Sequence, residues 1–149
     1  MRALFQTDDG WTGLILRLTL GLVMLPHGAQ KLLGWFGGKG FDGTIRFFTQ
    51  NMGVPWIIAF LVVIGESFGS LGLLAGFLTR FTAASLAVIM LGAIMMVHLP
   101  NGFFMNWFGQ QKGEGYEYHV LVIGIAAALL VTGGGRWSVD REVAGNIAR

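Results

Sequence analysis

The chain contains no cysteine, which excludes disulfides, thiol nucleophiles and cysteine-ligated clusters within it. Charged residues are scarce as well, at 12% of the sequence, about half the share that is usual in soluble domains. The basic residues are scattered and the net charge is only +2, so nucleic acid is not expected as a partner. An acidic pair stands in the opening MRALFQTDDG where a signal peptide would be basic, so we expect no cleavable signal peptide.

Apolar residues make up 54% of the sequence and are concentrated in four long segments. A helix that crosses a bilayer needs roughly 20 predominantly apolar residues. The segments therefore predict an all-α, integral membrane, antiparallel four-helix bundle that occupies residues 1–149 as a single transmembrane domain. The predicted spans are residues 11–35, 55–78, 81–99 and 118–132.

The three connections between these segments differ in character. The first contains FDGTIRFFTQNM, in which Phe41, Ile45 and Phe48 have helical spacing, and it predicts a short helix lying in the interface. Only Thr79 and Arg80 separate the second and third segments, which predicts a tight helical hairpin. The third connection is rich in Phe and Trp, which favour the membrane–water boundary.

Four spans place both long connections on one side of the membrane, here called the loop face, and both termini on the other, the terminal face. Basic residues are slightly more numerous on the terminal face, and this bias predicts cytoplasmic termini. The terminal face carries Arg2, Arg80, Arg136, Arg141 and Arg149, whereas the loop face carries Lys31, Lys39, Arg46 and Lys112.

Glu66 lies in the middle of the second segment, where a charge is costly and needs a partner inside the bundle. It is a candidate for proton handling or ligand binding, and the alternative is a buried pair that only fixes helix packing. Arg17 and Lys31 share one face of the first segment. Arg17 is the predicted partner of Glu66, because guanidinium groups pair bidentately with carboxylates. Lys31 could instead extend toward the interface.

A second group of polar residues is predicted to converge near the loop face. Pro26 is expected to kink the first span beside His27 and to leave space there. Histidine and glutamate together could bind a metal, and two histidines could ligate haem. No short-range spacing such as HxxxH supports either, so a pocket for a small ligand is preferred. The group comprises His27, Lys31, His98, Glu117 and His119.

Five runs in order resemble the DoxX family of small four-helix bacterial membrane proteins. They are spread over nearly the whole chain, from residue 17 to residue 141: RLTLGLVMLPHGAQKLLGWFGG at 17–38, GVPW at 53–56, IGESFGSLGLLAGFLTR at 64–80, HLPNGFF at 98–104 and GGGRWSVDR at 133–141. The family takes its name from an association with thiosulfate:quinone oxidoreductase subunits, and other members are linked to redox stress. The positions that match it are Arg17, His27, Gly28, Lys31, Glu66, Arg80, His98, Ser138 and Asp140, and the family supplies no agreed role for them.

The resemblance implies a multi-pass protein of the bacterial inner membrane. Together with the polar residues, it leads us to expect a redox-associated subunit that binds a quinone-like or small aromatic ligand, within or beside a quinone-linked oxidoreductase. The sequence names no cofactor; a quinone is a candidate, and haem or a metal is not expected. The lipid bilayer is the expected partner, and a redox protein and further copies of the chain are candidate partners. The alternatives are a scaffolding subunit and a small proton-coupled transporter. The candidate ligand-binding or proton-handling residues are Arg17, His27, Lys31, Glu66, His98 and His119.

Overall fold

A computed structural model describes residues 2–147, with side chains from residue 4 onward. Every regular element in this part of the chain is helical, which confirms the predicted all-α class. Tight turns of 3-10 geometry cover Trp35–Gly37 and Leu99–Asn101, and wider π turns cover Phe47–Asn51 and Ile94–His98. The helices are α1 (Arg2–Phe5), α2 (Trp11–Leu32), α3 (Gly40–Arg46), α4 (Trp56–Ala75), α5 (Thr79–Ala93), α6 (Glu117–Thr132) and α7 (Val139–Ile147).

The helices α2, α4 and α5 are long and apolar enough to cross a membrane, with α5 continuing through its two turns to Asn101. The 16 residues of α6 form a shorter apolar helix. At 1.5 Å per residue it is about 24 Å long, somewhat less than the roughly 30 Å of hydrocarbon in a typical bilayer. Local thinning of the bilayer can absorb such a mismatch at modest cost.

The four long helices form a closed square in which α2 packs on α4 and α6, and α5 packs on the same two helices. Neighbours run antiparallel, and the centre is filled by apolar side chains. Large apolar side chains also cover the outside of the bundle, as expected of a surface that faces lipid; Val88 and Val131, for example, are 68% and 78% exposed. The central residues include Leu20, Met24, Leu73, Leu86 and Leu129.

The helices α2 and α4 lie in close contact at Gly28. A Cβ atom at this position would lie 2.6 Å from the Cα atom of Ser67, closer than any real contact. The Ser67 hydroxyl donates a hydrogen bond of 3.1 Å to the Gly28 carbonyl oxygen across this contact. Small residues of this kind are what allow helices to pack tightly in a membrane.

The short helix predicted in the first connection is present as α3. As their helical spacing predicts, its apolar side chains face one side: Ile45 is buried in a cluster with Ala59 and Val63, and Phe41 and Phe48 pack against that cluster. Val63 of α4 lies in that cluster, so α3 lies against the loop-face end of α4. The Thr44 hydroxyl ties α3 to the end of α2 by donating to the Lys31 carbonyl oxygen at 3.2 Å.

Candidate functional site

Glu66 forms an ion pair with Lys31, and its predicted pairing with Arg17 is wrong. The Lys31 Nζ atom lies 2.6 Å from Glu66 Oε2, and the two side chains are 24% and 5% exposed. Because α2 and α4 are antiparallel, the middle of α4 faces the last third of α2, where Lys31 lies. The long lysine stem can run along apolar surface and bring the ammonium group to the buried carboxylate.

Arg17 lies at the opposite end of the bundle, where it binds only backbone oxygens. Its side chain is 2% exposed, and its five N–H donors make five hydrogen bonds of 2.6–3.2 Å. Two acceptors belong to the last turn of α4, whose carbonyls lack partners within the helix and form the negative end of its dipole. The acceptors are the carbonyl oxygens of Leu73, Leu74, Gly134, Arg136 and Trp137.

Asp140 completes this end of the molecule. It is 1% exposed, and its two carboxylate oxygens accept hydrogen bonds of 2.7 and 2.8 Å from the backbone N–H groups of Leu78 and Thr79. It therefore caps the first turn of α5 from a distant part of the chain, and its charge acts on Arg17. We call Arg17, Asp140 and the carbonyls bound to Arg17 the Arg17 cluster. It gives a structural reason for the closing motif GGGRWSVDR.

A second set of polar side chains lies in one layer toward the loop face, with at least one residue from each long helix. Its ring centroids are separated by 5.9 Å for His27–Tyr118, 5.5 Å for Tyr118–His119 and 4.1 Å for His119–His98. We call this set the polar layer. It comprises His27 and Lys31 of α2, Glu66 of α4, His98 at the end of the α5 extension, and Tyr118 and His119 of α6.

The predicted convergence of His27, Lys31, His98 and His119 is therefore what the structure shows, and Glu117 is the exception. The Glu117 carboxylate turns to the third connection, where it accepts a hydrogen bond of 2.9 Å from the Met105 backbone N–H. Tyr118 was missed by sequence reasoning. An aromatic residue at the edge of a span signals only the membrane boundary.

The two stacked histidines are held differently. His98 Nδ1 lies 2.8 Å from the Glu114 carbonyl oxygen; since a carbonyl only accepts, Nδ1 carries a proton. His119 is 7% exposed, and its Nδ1 atom has no hydrogen-bond partner in the described part of the chain. The large majority of buried polar atoms in folded proteins have a hydrogen-bond partner, so this nitrogen has unused capacity to bind a ligand or a proton.

The spacing of these rings does not suit a shared metal ion. Two imidazoles on one tetrahedral metal, with metal–nitrogen bonds of about 2.0–2.1 Å, have ring centres roughly 5 Å apart, whereas these are 4.1 Å apart. Within residues 2–147 no group of three His, Asp or Glu side chains is arranged to hold a metal.

His27 brings the polar layer to the outside of the bundle. Its side chain is exposed beside Tyr118, on a surface that faces lipid. Among the described residues the Tyr118 hydroxyl has one acceptor, the Met24 thioether at 3.4 Å, and sulfur is a weak acceptor. The charges of Lys31 and Glu66 both act on His27. A donor-rich edge therefore opens to the bilayer directly in front of a buried ion pair.

Comparison with known proteins agrees with this architecture. The DoxX family model matches residues 12–99, a stretch that contains Arg17, His27, Lys31, Glu66 and His98 but not His119. Three bacterial relatives are 29–33% identical to this chain over 72–86% of its residues. "Uncharacterized membrane protein Rv3486" of Mycobacterium tuberculosis is 33% identical over 86% of this chain and 78% of its own.

"Inner membrane protein YqjF" of Escherichia coli K12 is 32% identical over 72% of this chain and 78% of its own. "Putative oxidoreductase CatD" of Bacillus subtilis 168 is 29% identical, over 78% and 76% of the two chains. No solved structure matches the sequence. The match to the family model extends over more than half of the chain, and the chain therefore belongs to the DoxX family.

Proposed function

We propose that this protein is a redox-associated component of the bacterial inner membrane that binds a quinone-like or other small aromatic ring at the polar layer. The observation that carries the proposal is the exposed His27 beside Tyr118 on the lipid-facing surface, with the Lys31–Glu66 pair behind it. The names of two relatives support the redox and membrane parts of the proposal, since CatD is called an oxidoreductase and YqjF an inner membrane protein.

The chemistry follows from the groups at this edge. A ring dissolved in the bilayer reaches His27 sideways, without crossing water. An imidazole N–H and the Tyr118 hydroxyl can each donate to an oxygen on the ring, and the phenol offers a face for stacking. Glu66 is the nearby carboxylate that can take or return a proton through these groups, and Lys31 holds it in place. Electrons would come from a partner redox protein.

We assign His27, Lys31, Glu66, His98, His119 and Tyr118 to this site and leave Arg17 out of it. Each of the five N–H donors of Arg17 already binds a backbone carbonyl, so none is available to a ligand. The inner positions, His119 and His98, extend the row of titratable groups from the ligand edge toward the loop face.

Titration of a short-chain quinone into the protein in lipid nanodiscs tests the proposal, with tryptophan fluorescence as the readout. We expect saturable quenching in the parent. His27→Gln and Tyr118→Phe should each weaken binding by up to about tenfold, because one hydrogen bond contributes roughly 1 kcal/mol. Tyr116→Phe is the matched control, since Tyr116 packs on Phe103 outside the layer and its variant should bind like the parent.

Quenching that does not saturate in the parent would show that the polar layer is a packing feature. So would affinities of His27→Gln and Tyr118→Phe that equal those of the parent and of Tyr116→Phe. The scaffolding alternative would then be preferred. The Arg17 cluster already supports that alternative for its own end of the bundle, because everything in it serves to join α2, α4, α5 and the segment before α7. Co-purification of a stable oxidoreductase with the chain, without bound quinone, would be the positive evidence for a scaffold.

We also propose that the chain forms one transmembrane domain with both termini in the cytoplasm. On the terminal face Arg80 donates to the carbonyls of Gln6 and Val131, while Arg136 and Arg141 flank Asp9. Arg149 and the side chain of Arg2, counted above for this face, lie outside what the structure describes. A fluorescent protein fused at the C-terminus should be bright, and a phosphatase fused there inactive. The reverse result would invert the topology.

A further inference from the structure

A surface groove lies between α3 and the beginning of α4, lined by residues that the polar layer does not use. Its volume is about 420 Å³, and it is lined by Phe41, Asp42, Ile45, Arg46 and Trp56. Trp56 is the first residue of α4. Because tryptophan is enriched where a span meets the headgroups, the groove lies at the level of the lipid headgroups.

The two charged residues of the groove are four positions apart on α3, the spacing at which Asp and Arg normally pair on a helix surface. No ion pair between them is formed among the described residues, although both are exposed. Arg46 Nε instead lies 3.4 Å from the backbone oxygen of Asp42. The groove therefore presents one separate negative group and one separate positive group to whatever enters it.

The wall beneath these charges is aromatic and continues into the lipid-facing side of α4. Trp56 stacks on Phe60, with ring centroids 5.3 Å apart and planes at 11°. Phe41 meets the same Phe60 ring edge-on at 6.3 Å. The occupant of the groove would thus contact charges at one end and an apolar surface at the other.

We propose that this groove binds a zwitterionic phospholipid with a primary amine, of the phosphatidylethanolamine type. The ammonium group binds Asp42, the phosphate binds the planar fork of Arg46, and the acyl chains run along Phe41 and Trp56. A purely anionic headgroup, such as that of phosphatidylglycerol, carries the same phosphate for Arg46 but no cation for Asp42. A cationic amphiphile would have the opposite fault. Only a headgroup that carries both charges complements both residues.

Native mass spectrometry of protein released from nanodiscs with equal amounts of phosphatidylethanolamine and phosphatidylglycerol tests this. The parent should retain the ethanolamine lipid up to about fivefold over the glycerol lipid, the ratio expected from one exposed charge contact between the ammonium group and Asp42. Asp42→Asn removes the partner of the ammonium group and should bring the retention of the two lipids close to equal. Arg46→Gln removes the phosphate contact and should lower retention of both lipids.

Two matched charge changes separate a site from a general effect of charge. Lys112→Gln changes an exposed cation on the same face, and Glu142→Gln changes an exposed acid on the terminal face; both should keep the lipid ratio of the parent. Equal retention of the two lipids by the parent would overturn the proposal. So would an Asp42→Asn ratio equal to that of the parent, or the same loss in Lys112→Gln as in Arg46→Gln, either of which indicates ordinary boundary lipid.

Discussion

The two ends of the bundle bury charged groups in different ways. In the Arg17 cluster, the five N–H donors of the guanidinium all bind carbonyl oxygens, and each carboxylate oxygen of Asp140 accepts from one backbone N–H group near the cation. In the polar layer, Lys31 and Glu66 form a close ion pair, but His119 Nδ1 has no hydrogen-bond partner within residues 2–147, and the His27 side chain is exposed to lipid.

This difference separates structure from function more clearly than charge alone does. An ionisable residue inside a membrane is a functional candidate by default. Arg17 and Glu66 both qualify from the sequence. At the Arg17 end the charged groups are hydrogen-bonded by backbone, and the one buried side-chain atom without a partner in the described residues is the neutral Thr79 hydroxyl. Glu66 instead shares its layer with a titratable ring nitrogen of His119 that has no partner in the described residues and with His27, which is open to lipid. Where the charged groups are satisfied by backbone, the charge holds helices together; where titratable neighbours keep unused capacity, a ligand or a proton can be bound.

Substitution of Arg17 should have the largest effect on stability. Arg17→Met removes the guanidinium donor from five carbonyl oxygens, of which Leu73 keeps a bond from the Gly76 N–H, and leaves Asp140 without its nearby cation. We therefore expect a loss of about 3–5 kcal/mol in the free energy of unfolding. Arg17→Lys should recover little, because an ammonium group has three donors and no fork. Unfolding in mixed detergent micelles measures both. A loss below 1 kcal/mol in Arg17→Met would show that the cluster is not structural.

Gly28→Ala tests the packing that holds the polar layer. A Cβ atom at Gly28 meets backbone of α4 on both Ser67 and Glu66, so α2 must move away, at about 2–3 kcal/mol. Gly92→Ala is the control, because nothing lies within 4 Å of a Cβ atom there. The same assay should show little or no loss for Gly92→Ala. Equal effects at the two positions would mean that α2 and α4 are not in close contact in the bilayer.

Glu66→Gln should cost less, about 1–2 kcal/mol, since Lys31 is partly exposed and can turn toward the headgroups. Lys31→Met added to Glu66→Gln should recover part of that loss, because the two side chains are in contact. Arg17→Met added to Glu66→Gln should be additive, since the two residues lie in separate groups. If the Glu66 variant were coupled to the Arg17 variant and not to the Lys31 variant, Glu66 would be paired with Arg17 and the ion pair in the structure would be wrong.

Asp140→Asn should give the smallest loss of the series, about 1 kcal/mol. An asparagine keeps one acceptor oxygen but turns its amide N–H toward the other backbone donor of α5, so one of the two capping bonds is lost. Glu142→Gln, an exposed change on the same helix, should leave thermal stability unchanged. If both variants melt at the parent temperature in the same detergent, the cap contributes nothing measurable.

Much of the architecture could be predicted from the order of residues alone. Long apolar runs predict spanning helices because hydrocarbon offers no partner to an open backbone, and the sequence has four such runs. The spacing of Phe41, Ile45 and Phe48 predicted α3 for a similar reason, since it defines one apolar side of a helix. Depth was predictable too: histidines near the ends of three spans had to lie in similar layers.

The choice of partners was decided only by the tertiary structure. Whether Glu66 meets Arg17 or Lys31 depends on how far α2 and α4 slide past each other, and both cations lie on a suitable side of α2. The acceptors of Arg17 are backbone carbonyls, which every residue possesses and which leave no mark in a sequence. Asp140 caps a helix 61 residues away from it. The sequence by itself determined which groups are buried in the membrane, because hydropathy is local. Which of these buried groups find hydrogen-bond partners depends on contacts between distant helices, and such contacts exist only in the assembled bundle.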